Sequence, residues 1–174
     1  VSLDEGLVPF EMYDYQQDMI DTIHNNRFVI AKLPRQSGKS TTVISYILHY
    51  VLFNQSMSVA VLANKQSTAK DILSRLQLAY EYLPLWLQQG IVAEEFFSSV
   101  YPTITSGQST KVLMVSTPNG LNMYYHYWRG ATKKEGEQGK NEYIPIEVHW
   151  SQVPAYPGGP LRDEKWKQET IANT

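Results

Sequence analysis

Apolar positions along the chain follow two periods. Some fall in short unbroken runs, others recur every third or fourth residue over longer stretches. Between residues 14 and 25, Tyr15, Met19, Ile20 and Ile23 share one helical face, and Asp14 with Gln17 has capping-box spacing. Residues 28–32 form an apolar run that predicts a buried strand. Residues 39–53 are apolar almost all round, the pattern of a buried helix. Ser58-Val59-Ala60-Val61-Leu62-Ala63 predicts a second buried strand. Thr68 and Asp71 are placed to cap a third helix, with a stripe of Ile72, Leu76, Ala79, Tyr80 and Leu83, and Pro84 ends it. A helical piece is expected at 93–101 and a strand over Lys111 to Ser116. The turn Thr117-Pro118-Asn119-Gly120 then leads into a helix carrying Tyr124, Tyr125, Tyr127 and Trp128. Lys133 to Asn141 is a polar loop, and Tyr143 to Val148 alternates like a last strand. Tyr156-Pro157-Gly158-Gly159-Pro160 reads as a linker before a charged helical tail.

Strands alternating with helices predict an α/β fold of three layers with a largely parallel sheet. The 174 residues, 43% of them hydrophobic, suffice for one domain with a full core. That domain is expected over 1–155, with 156–174 as linker and the start of a following lid or subdomain. The formal net charge of -2 supplies no global basic field, so any nucleic acid would be held by one small face or by a further domain. The absence of cysteine fits a reducing compartment. The longest apolar stretch, Val43 to Phe53, is interrupted by Ser45, His49 and Tyr50 and is too short to span a bilayer. No secretory signature opens the chain. Starting at Val1, it is expected to be a piece of a longer polypeptide.

The segment Leu33-Pro34-Arg35-Gln36-Ser37-Gly38-Lys39-Ser40-Thr41 changes this picture most. It stands between the predicted strand and the predicted helix, the setting of a phosphate-binding loop. Backbone N–H groups and the helix dipole would face phosphate oxygens there. Lys39 would reach the β- and γ-phosphates and the Ser40 hydroxyl would bind Mg²⁺. The usual pattern opens with glycine, and that position holds Leu33.

Three further positions bear on nucleotide binding. Arg35 could stabilise charge at a γ-phosphate, or merely pin the loop to a carboxylate. Gln16 lies at a suitable distance before the first strand to read an adenine edge, or is an exposed helix residue. The turn from Ser116 to Gly120 ends a buried strand, where open parallel sheets bind ligands, although any strand-to-helix connection can hold such residues.

Together, Asp14-Tyr15-Gln16, Arg35-Gln36-Ser37-Gly38-Lys39-Ser40, Ala63-Asn64-Lys65, Leu83-Pro84-Leu85-Trp86-Leu87 and Ser116-Thr117-Pro118-Asn119-Gly120-Leu121-Asn122 resemble the large terminase subunit of tailed bacteriophages. The similarity is to the ATPase domain of the packaging motor, in the branch of contractile-tailed phages, and spans about residues 10–174. Such ATPases are similar to helicases in carrying a deviant phosphate loop, so Leu33 agrees with the resemblance. The resemblance implies a P-loop NTPase fold of helicase or RecA-like kind. It implies that Gln16 contacts adenine and that Arg35 acts in cis on the γ-phosphate. Gln36, Ser37, Gly38, Lys39, Ser40 and Thr41 would line the ATP and Mg²⁺ site, with Arg35 and Lys39 catalytic. Thr117 and Asn119 would lie in the motif coupling hydrolysis to DNA movement. Implied partners are double-stranded DNA, a procapsid portal, a small terminase subunit and further copies in a ring on the portal, with no membrane. The implied location is the host cytoplasm of a bacterial cell, outside the mature virion.

One part is missing. A phosphate-loop ATPase needs an apolar strand ending in Asp for the Mg²⁺ shell, then Glu to orient water. None of Asp4, Asp14, Asp18, Asp21, Asp71 and Asp163 follows a buried-strand run. The nearest imitation is Ile91-Val92-Ala93-Glu94-Glu95, where Glu94 and Glu95 read best as exposed helix carboxylates. The resemblance places a stretch holding the acidic strand at 92/93, deleted or omitted here, which would leave a hole beside the first strand. The four aromatics from Tyr124 to Trp128 read as core packing rather than base stacking. Lys133, Lys134 and Lys140 mix with Glu135 and Glu137 in a solvated loop. No acidic cluster after residue 150 suggests a two-metal nuclease, so the endonuclease domain of a full-length parent is expected to be absent. The expected function is ATP hydrolysis driving viral DNA packaging. The alternatives are a superfamily-two helicase or other translocase, and a nucleotide-binding module without turnover.

Overall fold

The computed structural model describes residues 10–54, 66–88, 111–117 and 122–172. The chain forms two compact units, Val1–Ser37 with Lys111–Thr174, and Gly38–Thr110.

In the first unit, α1 (Asp14–Asn25) is followed by β1 (Phe28–Lys32). Tyr15, Gln16, Met19 and Ile23 form the buried face of α1, the expected stripe with Gln16 added and Ile20 at its edge. The N-terminal box lies one residue earlier than the spacing of Asp14 and Gln17 suggests: Gln16 Oε1 accepts from Tyr13 N at 3.0 Å. Gln16 is the inward-facing glutamine of the pair, so its amide lies beside the helix start while Gln17 is exposed. At the other end of α1, Lys111 Nζ donates to Ile23 O and Asn26 O, both at 3.1 Å, closing carbonyls that no helical N–H can reach.

β1 is flanked by β2 (Val112–Ser116) and β3 (Ile144–Glu147) in a parallel sheet of order β2-β1-β3. Phe28 is level with Val112 and Lys32 with Ser116; Val29 is level with Ile144 and Lys32 with Glu147. Val29, Ile30 and Ala31 are buried, as a central strand covered on both faces requires. The hole expected beside the first strand is not there, because β1 has a hydrogen-bonded neighbour on each edge. α5 (Met123–Ala131), the fifth helix along the chain, starts with the Asn122 side chain accepting from Tyr125 N at 3.2 Å. Its fully buried residues are Gly130 and Ala131; Tyr124, Tyr125 and Trp128 are half-buried, in part the packing expected of them, and Tyr127 is 38% exposed. Tyr127 instead meets Tyr143 edge-on, and Trp128 takes Lys32 Nζ 5.0 Å from its ring centre.

After β3 a short 3-10 turn, Trp150–Gln152, leads to buried Val153. The expected linker is a closed turn: Ala155 N donates to Pro160 O at 2.9 Å, Arg162 N to Val153 O at 3.1 Å, and Pro154 pairs antiparallel with Leu161. The boundary expected at 155/156 falls inside this turn. The expected charged helix follows as α6 (Glu164–Ala172).

In the second unit, α2 (Lys39–Phe53) and α3 (Gln66–Glu81) share a core of Ile44, Leu48 and Leu76, with Ile47, Ile72, Ala79 and Leu83 packed against it. α3 begins before Thr68 and Asp71, which are helical residues rather than caps. Asp71 pairs with Arg75 at 3.1 Å one turn on. α4 (Leu85–Gln88) follows Pro84, which ends α3 as its missing N–H and fixed φ dictate. The expected strand 58–63, helix 93–101, junction 92/93 and residues Ala63-Asn64-Lys65, Glu94, Glu95 and Pro118 to Leu121 lie outside the described residues. Among the described residues no helix is long and apolar enough to cross a membrane.

Candidate functional site

The loop leaves the carboxyl end of β1, the middle strand, which is where ligands meet open parallel sheets. Leu33 is buried, and its N–H donates to Ser116 O at 3.2 Å, extending the β1–β2 ladder by one residue. A side chain at that position fills the core, and the left-handed conformations fall later, at Gln36 (φ 56°) and Gly38 (φ 68°). Glycine adopts this conformation freely, whereas Gln36 does so against roughly 1–2 kcal/mol.

Four successive carbonyls of the loop are held by side chains. Ser37 Oγ donates to Pro34 O at 2.9 Å. Arg162 Nη1 donates to Arg35 O and Nη2 to Gln36 O, each at 3.2 Å. Ser37 O accepts twice, from the Tyr15 hydroxyl at 2.9 Å and from Gln16 Nε2 at 3.2 Å.

These donors come from buried positions. Gln16 is 1% exposed, which removes the reading of it as a solvated helix residue. Arg162 is 4% exposed, lies 4.3 Å over the Trp166 ring centre, and has no partner at Nε among the described residues. Burial pulls its pKa down and the neighbouring Tyr15 opposes this, yet a guanidinium keeps its proton in protein interiors. Burial pushes the Tyr15 phenol up to about 12, Tyr13 adding to the rise and Arg162 opposing it.

The Arg35 and Gln36 side chains are exposed. Among the described residues Arg35 forms no ion pair, so the alternative in which a carboxylate pins it has no support there. The second half of the loop opens the second unit. Gly38 is the left-handed N-cap of α2, and its carbonyl accepts from Thr42 N at 3.0 Å and Thr42 Oγ1 at 3.1 Å. Lys39 and Ser40 are half-buried in the first turn of α2 and Thr41 is exposed. Thr117, half-buried, follows β2, and its carbonyl accepts from Ser116 Oγ at 3.0 Å; Asn119 lies outside the described residues.

A second set of groups gathers at the carboxyl ends of β1 and β3. Glu147 forms an ion pair with Lys32, its register partner. The Tyr124 hydroxyl is buried without a partner among the described residues, and burial together with Glu147 raises its pKa. Glu147 therefore ends a strand beside the loop strand, but its carboxylate is engaged by Lys32. Among the described residues no three His, Cys, Asp or Glu side chains gather to hold a metal ion.

Beside Gln16 and the loop, which the sequence singles out, stand three residues that it does not: Arg162 and Tyr15 on the loop carbonyls and Glu147 on Lys32. Arg162 carries no local signal, because its partners lie 127 and 126 positions away. Tyr15 adjoins Gln16 and reads as one more apolar residue of the α1 stripe. No protein-family model matches the chain.

Proposed function

We propose that this chain is the ATPase domain of a phage terminase large subunit, a three-layer P-loop NTPase that hydrolyses ATP to drive double-stranded DNA into a procapsid. The observation that carries the reading is the loop itself. A Gly-Lys-Ser segment joins the middle strand of a parallel sheet to a fifteen-residue helix, through left-handed residues at Gln36 and Gly38. Gln16, which the resemblance assigns to adenine, is buried with its amide nitrogen on Ser37 O and its oxygen on Tyr13 N, so here it ties α1 to the loop and would have to leave these partners to meet a base. The order of the remaining motifs along the chain adds the terminase assignment.

In this reading Lys39 binds the β- and γ-phosphates and Arg35, free of any carboxylate among the described residues, stabilises the charge developing on the γ-phosphoryl group. Gln36, Ser37, Gly38 and Thr41 complete the cradle, with Thr117 and Asn119 in the coupling turn. Mg²⁺, when bound, would supply neutralisation of the phosphate charge. Ser40 is the hydroxyl we assign to it, and its acidic partner belongs to the stretch expected at 92/93. The partners proposed are double-stranded DNA, the portal, the small terminase subunit and further copies in a ring. The proposed place of work is the host cytoplasm.

Phosphate release from ATP, measured on the full chain with and without double-stranded DNA, tests this. Release that rises with DNA and vanishes in Lys39→Ala supports a motor. Release indifferent to Lys39→Ala overturns the site assignment.

A further inference from the structure

We propose that Arg162 is the positioning residue of the phosphate loop, bridging Arg35 O and Gln36 O so that the loop's N–H groups turn outward to an oxyanion. The oxyanion is a nucleotide phosphate, so this part rests on the function proposed above.

Peptide planarity carries the first step. In a trans peptide the carbonyl and the N–H that follows it point to opposite sides. The carbonyls of Arg35, Gln36 and Ser37 are all held inward, by Arg162, Arg162 again, and Tyr15 with Gln16. The N–H groups of Gln36, Ser37 and Gly38 are thereby set on the opposite side. Successive N–H groups presented in this way, with left-handed Gln36 between the first two, form an anion-binding concavity.

The conformation of Gln36 carries the second step. Its φ of 56° is disfavoured for any residue but glycine, asparagine or aspartate, so something must hold it. The guanidinium is suited to this because its two Nη groups form a planar fork, each 3.2 Å from its own carbonyl. Lysine has one ammonium and cannot reproduce that geometry.

Charge carries the third step. Arg162 forms no ion pair with a carboxylate among the described residues; its partners are two carbonyls and the Trp166 ring face. A buried cation that is not neutralised adds positive potential behind the loop, where a polyphosphate gains from it. The guanidinium is fixed in turn by the backbone bond from Arg162 N to Val153 O and by Trp166 stacked on Trp150.

The test uses the full chain carrying Arg162→Lys, alone and combined with Gln36→Gly. Two readouts are taken: Gln36 backbone carbon chemical shifts without nucleotide, which report its left-handed φ, and the Kd of a fluorescent ATP analogue. Positioning predicts that Arg162→Lys moves the Gln36 shifts away from left-handed values. It also predicts that the Kd rises about tenfold, or about 1.4 kcal/mol. Gly at position 36 takes the conformation without help, so Gln36→Gly should restore most of the affinity. A merely structural strut gives no such rescue. Unchanged Gln36 shifts in folded Arg162→Lys, or a loss of affinity that Gln36→Gly does not relieve, overturns the proposal. Where Arg162→Lys does not fold, Trp166→Leu removes only the ring beneath the guanidinium, and the same shifts decide. If the unaltered chain binds no ATP analogue, the nucleotide reading fails by itself. The Gln36 shifts then still decide whether Arg162 sets the loop.

Discussion

The side-chain amide of Gln16 donates to Ser37 O at 3.2 Å while its own oxygen accepts from Tyr13 N at 3.0 Å. The first turn of α1 and the middle of the loop are thereby one hydrogen-bonded assembly, and a buried side chain with no slack joins them. Gln16→Glu keeps the shape and removes the donor, leaving a carboxylate facing a carbonyl. It should cost roughly 1–3 kcal/mol at neutral pH. A carboxyl there has its folded pKa raised, since its protonated form can donate to Ser37 O. The deficit against the unaltered chain should therefore shrink as pH falls through that pKa, read by denaturant unfolding at neutral and mildly acid pH. A deficit that grows on acidification would contradict the bond.

Tyr15 shares the same acceptor and titrates in the opposite range. Its phenol is pushed from 10.0 to about 12, so the folded state binds a proton that the unfolded chain releases. That contribution to stability is whole below pH 10 and is lost as pH rises toward 12. Tyr15→Phe should cost about 0.5–1.5 kcal/mol at neutral pH. It should also flatten part of the alkaline loss, measured by thermal unfolding across that window.

Lys111 fastens the other end of α1. Lys111→Met leaves the carbonyls of Ile23 and Asn26 without this donor and should cost roughly 1–3 kcal/mol. Amide hydrogen exchange should quicken in the last turn of α1 and stay unchanged at its start. Uniform quickening along the helix would mean that Lys111 acts on the whole unit.

The Lys32–Glu147 pair is a weaker tie despite its place at the sheet end. The two residues are level across β1 and β3, but their side chains are 28% and 55% exposed. Solvent screening limits such a pair, so Glu147→Gln should cost no more than about 1 kcal/mol, and less at high salt. A larger, salt-independent loss in chemical denaturation would show that Glu147 also supports the buried Tyr124 hydroxyl.

Most elements of the fold were legible because they are local. The stripe of α1, the apolar run of β1 and the all-round apolarity of α2 each follow from burial at a fixed period, and the structure places them over 14–25, 28–32 and 39–53. The start of α3 was misplaced because Thr68 and Asp71 suit a cap and a helix interior alike, and the Asp71–Arg75 pair favours the interior. The aromatic helix was legible only in part: Tyr124, Tyr125 and Trp128 are half-buried while Tyr127 is exposed, because helical spacing shows that side chains share a face, not how far that face is covered. The Tyr156-Pro157-Gly158-Gly159-Pro160 run has linker composition, and only the bonds of Ala155 and Arg162 across it reveal a closed turn. The loop was read from its Gly-Lys-Ser, whereas the groups that shape it are Tyr15, Gln16 and Arg162. Two of those precede β1 and the third lies far along the chain, so no local pattern could have assembled them.

The most direct test of the nucleotide reading is calorimetric titration of the chain with a slowly hydrolysed ATP analogue and Mg²⁺, beside Lys39→Ala. One site per chain, lost or weakened at least about a hundredfold in Lys39→Ala, is the predicted result, equivalent to roughly 2.7 kcal/mol. Equal binding by both proteins, or no binding by the unaltered chain, would contradict it.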